Sequence, residues 1–244
     1  MTRARGLQAL LASGLFASVV AETFPVGAMP QIRDGLHISS AEAGLLMTVF
    51  ACVAAIATIP FTYLTRGWST RRTVTVAFAF LGVSQIGFAL APTTSVALWA
   101  RAAAAIVHGA IWAQVPVLAA NAAPAGQRVK ATARVFLGSS TALVAGVPLA
   151  TLSSQHLGWR PSALIPGAWS LVVAFILITM HVPDTQQAPG AGPSASSRKA
   201  SVRWRAVVTV CGVTILLVMG HFTVYTYIAE ISADRGVTGE ASRV

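Results

Sequence analysis

The sequence has few charged side chains and very few acidic ones. Only 10% of its 244 residues are charged, with 7 Asp and Glu against 17 Lys and Arg, whereas soluble domains carry about 25%. Hydrophobic residues make up 55%, and the mean hydropathy is +0.69. This balance excludes a soluble enzyme, a secreted disulfide-stabilised domain and a disordered chain. We therefore expect a protein embedded in lipid.

Cysteine and lysine are also scarce. Cys52 and Cys211 lie inside apolar runs without the spacing of a metal site, so we expect both to be small buried residues. Lys130 and Lys199 lie in predicted loops, which excludes a retinal Schiff base on the last span. Zinc-peptidase, thiol-redox and phosphate-loop motifs are missing from the sequence. We find no catalytic constellation and expect neither an enzyme nor a bound metal or cofactor.

Long apolar runs dominate what is present. A helix needs about 20 apolar residues to cross the hydrocarbon core, and its backbone must be bonded internally there. No run alternates as the strands of a membrane barrel do. Seven runs qualify as helical spans: 7–29, 42–64, 73–91, 95–120, 132–154, 162–182 and 204–229. The predicted fold class is an all-α polytopic membrane protein.

The spacing of these runs divides the chain. Six spans with short connections fill residues 1–183 and predict a six-helix bundle. Residues 184–203 are rich in Pro, Gly, Ser and Gln, a composition typical of a flexible linker. Residues 204–244 hold the seventh span and a polar end. Six spans, a linker and one span resemble an interrupted six-plus-six plan.

The positions of the cations predict the orientation. A basic chain can bind nucleic acid, but these cations cluster between apolar runs, as in membrane loops. With the N-terminus in the cytoplasm, twelve cations lie inside and four outside, which obeys the positive-inside rule. The inside set is Arg3, Arg5, Arg66, Arg71, Arg72, Arg128, Lys130, Arg134, Arg198, Lys199, Arg203 and Arg205; the outside set is Arg33, Arg160, Arg235 and Arg243. A cleaved signal peptide ending near Ala21 is an alternative for the first span, and it leaves the charge bias unchanged.

Two charges lie inside predicted spans. Glu22 lies roughly 10 Å from the outer end of the first span, and Arg101 roughly 9 Å from the outer start of the fourth. A charge at the bilayer centre costs about 2.5–3.5 kcal/mol unless it finds a partner or water. The equal depths predict an ion pair between the two spans. It serves either as a structural clamp or in gating or proton coupling, and Arg101 has the further alternative of snorkelling outward.

Other polar residues share these spans. His108 lies two turns below Arg101 on nearly the same face, and Trp112 follows one turn later. An imidazole there either carries a proton or only bonds a neighbouring helix. Gln85 and Gln114 are weaker candidates for the polar lining of a cavity.

The seventh span carries another set of candidates. His221 and Tyr225 share a face and suit a cavity for amphipathic molecules, whereas Tyr227 points elsewhere. The alternative for the two tyrosines is a belt of aromatic residues at the membrane surface. We expect the same half-wet position for Trp99, Trp159 and Trp204, which lie near the ends of spans.

Small residues and prolines punctuate two spans. Gly138, Gly146 and Pro148 lie in the fifth span and Pro60 in the second. Glycine lets helices approach closely and proline kinks them. Packing explains these positions as well as a transport mechanism does.

Several stretches, taken in order, resemble the major facilitator superfamily, specifically its drug:proton antiporter type and the sugar-efflux (arabinose efflux permease) branch. They are 21–32, Arg101 with 108–114, 133–138 with 146–151, 158–160 and 220–229. The resemblance implies two six-helix halves around a central cavity lined by the first, fourth and seventh spans. It implies proton-coupled efflux of drugs, sugars or similar metabolites across the plasma (inner) membrane. It also implies a proton gradient in place of a cofactor, with no nucleic-acid partner, and assigns proton coupling to Arg101.

The sequence departs from the family pattern in three ways. The loop after the second span keeps Arg66, Arg71 and Arg72 but lacks the usual acid, which puts a cytoplasmic gate pairing in doubt. Val147 separates Gly146 from Pro148. The third departure is length: alternating access needs a second bundle, whereas this sequence holds only the first span of one. We therefore expect a truncated, transport-incompetent fragment or a half-transporter completed by a second chain or a second copy. A purely structural or regulatory fragment, which needs neither Glu22 nor His108, remains an alternative.

Overall fold

The computed structural model describes residues 2–124 and 126–180, together with nine helical positions of the last span: 204, 205, 208, 209, 212, 213, 216, 217 and 220. The chain divides into two units, Met1–Ala191 and Gly192–Val244. The predicted linker, His221, Tyr225 and Tyr227 lie outside the described residues. The first unit holds the architecture set out below.

The described part of the first unit consists of helices. They are α1 (Thr2–Gly27), α2 (Met29–Leu36), α3 (Ser40–Leu64), α4 (Thr70–Ala89), α5 (Thr94–Asn121), α6 (Arg128–Leu157) and α7 (Trp159–Thr179). All except α2 are long and apolar enough to cross a membrane. The first six predicted spans and the all-α polytopic fold class are therefore confirmed.

Side-chain caps decide where several helices begin. Ser39 Oγ accepts a hydrogen bond from the backbone N–H of Glu42 at 3.2 Å, and the Glu42 carboxylate accepts one from the N–H of Ser39 at 2.8 Å. This reciprocal box satisfies two donors that the first turn leaves free. It starts α3 at Ser40, two residues before the predicted span, because hydropathy alone does not count polar caps.

The first apolar run is broken where a single helix is predicted. α1 ends at Gly27, and Ala28 leaves helical geometry with φ −108° and ψ 13°. Pro30 occupies the first turn of α2, where its missing N–H costs nothing. α2 buries Ile32 against the bundle. α1 therefore ends two residues before the last residue of the predicted span 7–29.

α1 and α6 pack backbone to backbone through glycines. A Cβ at Gly138 would overlap the carbonyl of Ala12, and a Cβ at Gly27 would lie 2.7 Å from the carbonyl of Val147. Gly146 also faces α1, where a Cβ would make a tight contact with Val20 Cγ2 at 3.3 Å. Pro148 lies inside the same stretch of α6. Small residues at these positions let the two helices approach closely.

α4 and α7 are tied together at both ends by arginines. At one end Arg71 donates to the carbonyls of Leu177 and Ile178, at 2.9 and 2.8 Å. At the other end Arg160 Nη1 donates to the carbonyls of Ala89 and Ala91, at 3.0 and 2.6 Å. The last carbonyls of a helix lack intrahelical donors, so each arginine caps the C-terminus of the partner helix. The two helices therefore run antiparallel and are joined at both ends.

Two predictions about exposure are wrong. Trp159 is only 5% exposed because it packs against Phe88 inside the bundle, with ring centroids 5.5 Å apart. Cys52 is exposed instead of buried. It lies on α3, which packs chiefly on α5 and leaves apolar residues such as Ile59, 77% exposed, on its surface. Trp99, at 77% exposed, and Trp204, at 70%, are as accessible as expected.

The α1–α6 crossing predicts the effect of a single added methyl group. Gly138→Ala is expected to lower the free energy of unfolding by about 1–3 kcal/mol, because the Cβ meets the backbone of α1. Gly44→Ala is the matched control, since a Cβ there has open space and alanine favours the helix by about 1 kcal/mol. Thermal unfolding in detergent measures both. Equal melting temperatures for the two variants would contradict the close crossing.

Candidate functional site

Arg101 is the most deeply enclosed charge in the described bundle. Its side chain is 0% exposed and donates to three backbone carbonyls: Nη1 to Ala21 at 2.7 Å, Nη2 to Glu22 at 2.8 Å and Nε to Leu46 at 3.4 Å. One guanidinium thus joins α1, α3 and α5. A planar fork with five N–H donors suits this arrangement, which a lysine cannot reproduce.

Proline explains why a carbonyl of α1 is free to bind a side chain. Pro25 lies inside α1 and has no N–H, so the carbonyl of Ala21, four residues earlier, lacks its helical donor. Arg101 Nη1 supplies that donor at 2.7 Å. The buried arginine and the buried carbonyl satisfy one another.

An aromatic ring on α3 completes the enclosure of the guanidinium. Arg101 Cζ lies 4.3 Å from the centroid of Phe50, within cation–π distance. The same ring meets the imidazole of His108 edge-on at 5.1 Å. Phe50 therefore contacts both the guanidinium of Arg101 and the imidazole of His108. Sequence patterns did not single out Phe50, since one phenylalanine in an apolar run carries no polar signal.

The side-chain pairing differs from the predicted one. Among the described residues, Glu22 Oε2 lies 3.3 Å from His108 Nε2, a contact that becomes an ion pair only when the imidazole is protonated, and no ion pair joins Glu22 to Arg101. The prediction of a Glu22–Arg101 ion pair is therefore wrong. The guanidinium binds the backbone of Glu22 instead. Equal depth in the membrane did place the two residues together, but depth does not decide which atoms meet.

His108 is held from three sides. Its Nδ1 lies 3.4 Å from Ser18 Oγ, and its Nε2 accepts a hydrogen bond from Trp112 Nε1 at 2.8 Å. The side chain of His108 is 11% exposed and that of Glu22 is 30% exposed. Ser18 was missed by the sequence analysis. The spacing could have identified Ser18, because it lies four residues before Glu22 on the same face of α1.

Trp112 connects this cluster to α6. Its ring lies 6.1 Å from that of Phe136, with an interplanar angle of 33°, and the residue is half-buried. We call Ser18, Glu22, Arg101, His108 and Trp112 the polar cluster. It combines a carboxyl, an imidazole and a fixed cation inside helices of membrane-spanning length. Such a set can bind and release a proton.

The two predicted lining glutamines lie outside the polar cluster. Gln114 is half-buried and lies two residues after Trp112, about 200° around the helix. Gln85 is 0% exposed and packs against Gly167 between α4 and α7, where neither amide atom has a hydrogen-bond partner. The expectation that Gln85 lines a cavity is therefore wrong.

The arginines of the loop after α3 either stack on aromatic rings or cap a neighbouring helix. Arg66 lies over the ring of Tyr63 at 4.1 Å and Arg72 over Trp68 at 4.5 Å, while Arg71 caps α7. Each thus has a partner that needs no acid in the loop.

A separate cavity of about 460 Å³ lies between the first turns of α1 and α6. It is lined by Arg5, Gln8, Ala9, Ala12 and Arg134, and it shares no residue with the polar cluster. Arg134 donates to Gln8 Oε1 at 3.1 Å. Within residues 2–124 and 126–180, no cluster of His, Cys, Asp and Glu is arranged to hold a metal ion.

The Pro25–Arg101 arrangement predicts energetic coupling between these residues. Arg101→Gln is expected to destabilise the bundle by about 1–3 kcal/mol, because buried carbonyls lose their donors. In a Pro25→Ala background the loss should be smaller, since the alanine N–H can bond the Ala21 carbonyl. Urea unfolding of both single variants and the double variant gives the coupling energy, expected at about 0.5–3 kcal/mol.

Arg33→Gln is the control for that cycle. Arg33 is exposed and bonds only Ser40 Oγ, so its loss should change stability by less than about 0.5 kcal/mol. Strict additivity of Pro25→Ala and Arg101→Gln would refute the shared carbonyl.

Known proteins resemble this chain in sequence and in fold. Two chloramphenicol efflux pumps of Mycobacterium tuberculosis, from strains CDC 1551 / Oshkosh and ATCC 25618 / H37Rv, are each 34% identical over 225 residues. The match covers 92% of this chain and 54% of each pump, so the chain spans about half the length of these curated relatives.

Solved structures give the same result for the fold. A peptide transporter POT with bound sulfate has a TM-score of 0.65 at 11% identity, covering 92% of this chain and 46% of that one. A mutant POT with alafosfalin has a TM-score of 0.64 at 12% identity, covering 94% and 49%. The Major Facilitator Superfamily profile matches residues 11–242. The predicted resemblance is thus confirmed, and the chain belongs to the Major Facilitator Superfamily.

Proposed function

We propose that this chain provides the first half of a proton-coupled exporter of small drug-like or sugar-like molecules in the plasma (inner) membrane. The observation that carries the proposal is the polar cluster, in which Glu22 and His108 lie 3.3 Å apart beside a buried arginine. Ionisable groups inside membrane helices are costly and mark ion or proton paths.

Glu22 and His108 are the proposed proton carriers. Glu22 is the more accessible of the two, at 30% against 11%, so it exchanges protons with water and His108 shares them. Arg101 has a different task. Its guanidinium is fixed by carbonyls of α1 and α3, so it supplies a permanent positive charge that favours the Glu22 carboxylate once the proton has left.

The proposed substrate is a small amphipathic molecule. Trp112 and Phe136 offer aromatic surface beside the polar cluster, a combination suited to organic ligands. The mycobacterial relatives are named for chloramphenicol efflux, which makes chloramphenicol the first compound to test. We also propose that His221 and Tyr225 take part in substrate binding, on the family pattern of the seventh span.

The second half of the exporter is proposed to come from elsewhere in the assembled protein. The matched pumps are about twice as long as the matched segment, and alternating access needs two bundles that move around one site. The second bundle comes from the remainder of a longer chain, from a complementing chain or from a second copy of this one. The alternative is a fragment that binds protons at the polar cluster without transporting anything.

Efflux tests the proposal directly. The chain is expressed in a pump-deficient host, alone and with the second half of a mycobacterial relative, and chloramphenicol accumulation is measured with and without a proton uncoupler. Accumulation should fall only when two halves are present. Glu22→Gln should return it to the empty-vector level, because the amide cannot carry the proton.

Glu42→Gln is the matched control, since Glu42 is an exposed capping residue of α3. Its efflux should stay within about twofold of the unmodified chain. Uncoupler-insensitive efflux would overturn proton coupling. Efflux by the chain alone would remove the need for a complementing chain.

Orientation gives a separate prediction. The positive-inside rule places the Gly67 loop in the cytoplasm and His37 outside. In a cysteine-free background, His37→Cys should react with a membrane-impermeant maleimide in intact cells, whereas Gly67→Cys should react only after lysis. The reverse pattern would contradict the proposed topology.

A further inference from the structure

One nitrogen of His108 has two polar neighbours. Its Nε2 lies 2.8 Å from the indole Nε1 of Trp112 and 3.3 Å from Oε2 of Glu22. An imidazole nitrogen has one position in the ring plane, filled either by a lone pair or by a proton. The two neighbours therefore compete for the same place.

The protonation state of the pair decides which neighbour binds. The indole can only donate, so it needs a bare Nε2. In that state Nδ1 carries the proton and can donate to Ser18 Oγ, 3.4 Å away. If Nε2 takes up a proton, Trp112 and His108 become two facing donors, and the Glu22 carboxylate becomes the acceptor.

The same exclusion holds if the proton resides on Glu22. A protonated carboxyl donates its O–H to Nε2 and uses the lone pair that the indole needs. One proton anywhere on the Glu22–His108 pair thus displaces the Trp112 hydrogen bond. The competition between Trp112 and Glu22 for Nε2 does not depend on which member of the Glu22–His108 pair holds the proton.

Within the part of the chain that the structure describes, no other titrating group is in contact with His108. α1 presents Glu22 and Ser18, α3 presents the Phe50 ring, and Trp112 itself leads to Phe136 on α6. The remaining charge is Arg101, two turns away on α5, which is bound to carbonyls. A change in pH therefore acts on this contest through Glu22 and His108.

We propose that Trp112 is the positioning residue that transmits the proton occupancy of the Glu22–His108 pair to the substrate cavity. With no proton on the Glu22–His108 pair, the indole is bonded to His108 and held against α5. With the pair loaded, the freed indole turns along the Phe136 ring into the space that a substrate would fill. Proton and substrate then exclude each other, as exchange transport requires. This proposal rests on the proposed role of the pair as the proton site.

Fluorine NMR of the indole tests it on the 244-residue chain in lipid nanodiscs. The six tryptophans are labelled as 5-fluorotryptophan, and the Trp112 line is assigned by its loss in Trp112→Phe. Spectra are recorded from about pH 4 to about pH 9, which brackets the ordinary carboxyl and imidazole ranges. The Trp112 line is expected to shift in one step as the pH falls.

Two variants separate this exchange from a general change of structure. In His108→Gln the amide oxygen accepts from the indole but takes up no proton, so the Trp112 line should keep its high-pH position throughout. The other five lines show that this variant is folded. Trp169, exposed on α7, should not shift in any variant.

Each result has a defined reading. A Trp112 line that is constant with pH, or that still shifts in His108→Gln, overturns the proposal. Efflux that depends on Glu22 together with a constant Trp112 line would leave the proposed function intact and remove only this inference. A shifting Trp112 line with efflux indifferent to Glu22→Gln would confirm the exchange and remove the proposed proton-coupled function.

Discussion

The bond between Arg101 and the carbonyl of Ala21 is the contact on which the rest of the bundle depends. It exists because Pro25 removes the helical donor of that carbonyl. A proline in a membrane helix leaves a polar atom that lipid cannot satisfy, and a buried guanidinium needs acceptors in the same place. The unbonded carbonyl and the buried guanidinium would each be costly alone, and the bond between them fixes α5 against α1. The polar cluster is built on that fixed contact.

The cluster gives its members different degrees of freedom. Arg101 is held by backbone oxygens on two helices and by the ring of Phe50, so its position does not vary with protonation. His108 and Glu22 are held by side-chain contacts that compete. Under the proposed function, this arrangement keeps the positive charge of Arg101 in place while the proton occupancy of Glu22 and His108 changes.

The sequence predicts much of the fold and less of the site. Hydropathy locates the six membrane helices of the first unit because lipid demands length and apolar character. Equal depth brings Glu22 and Arg101 together, since the rise per residue is constant, and the helical period places His108 on nearly the same face as Arg101. The actual partners were not predictable, because a guanidinium can bind a carboxylate or a carbonyl and only the packing of α1 on α5 decides. The predictions for Trp159 and Gln85 were wrong for a similar reason, because the burial of a side chain depends on which helices face each other.

The paired arginine caps on α4 and α7 have a consequence for how the protein senses its environment. Arg71 and Arg160 bind backbone carbonyls, and neither a guanidinium nor a carbonyl changes its charge at physiological pH. The charges that join α4 to α7 therefore stay constant, whereas the α1–α5 side holds Glu22 and His108, which can gain or lose a proton. Under the proposed function, protonation of Glu22 and His108 changes the charge of the α1–α5 side, and the contacts between α4 and α7 hold without any change of charge.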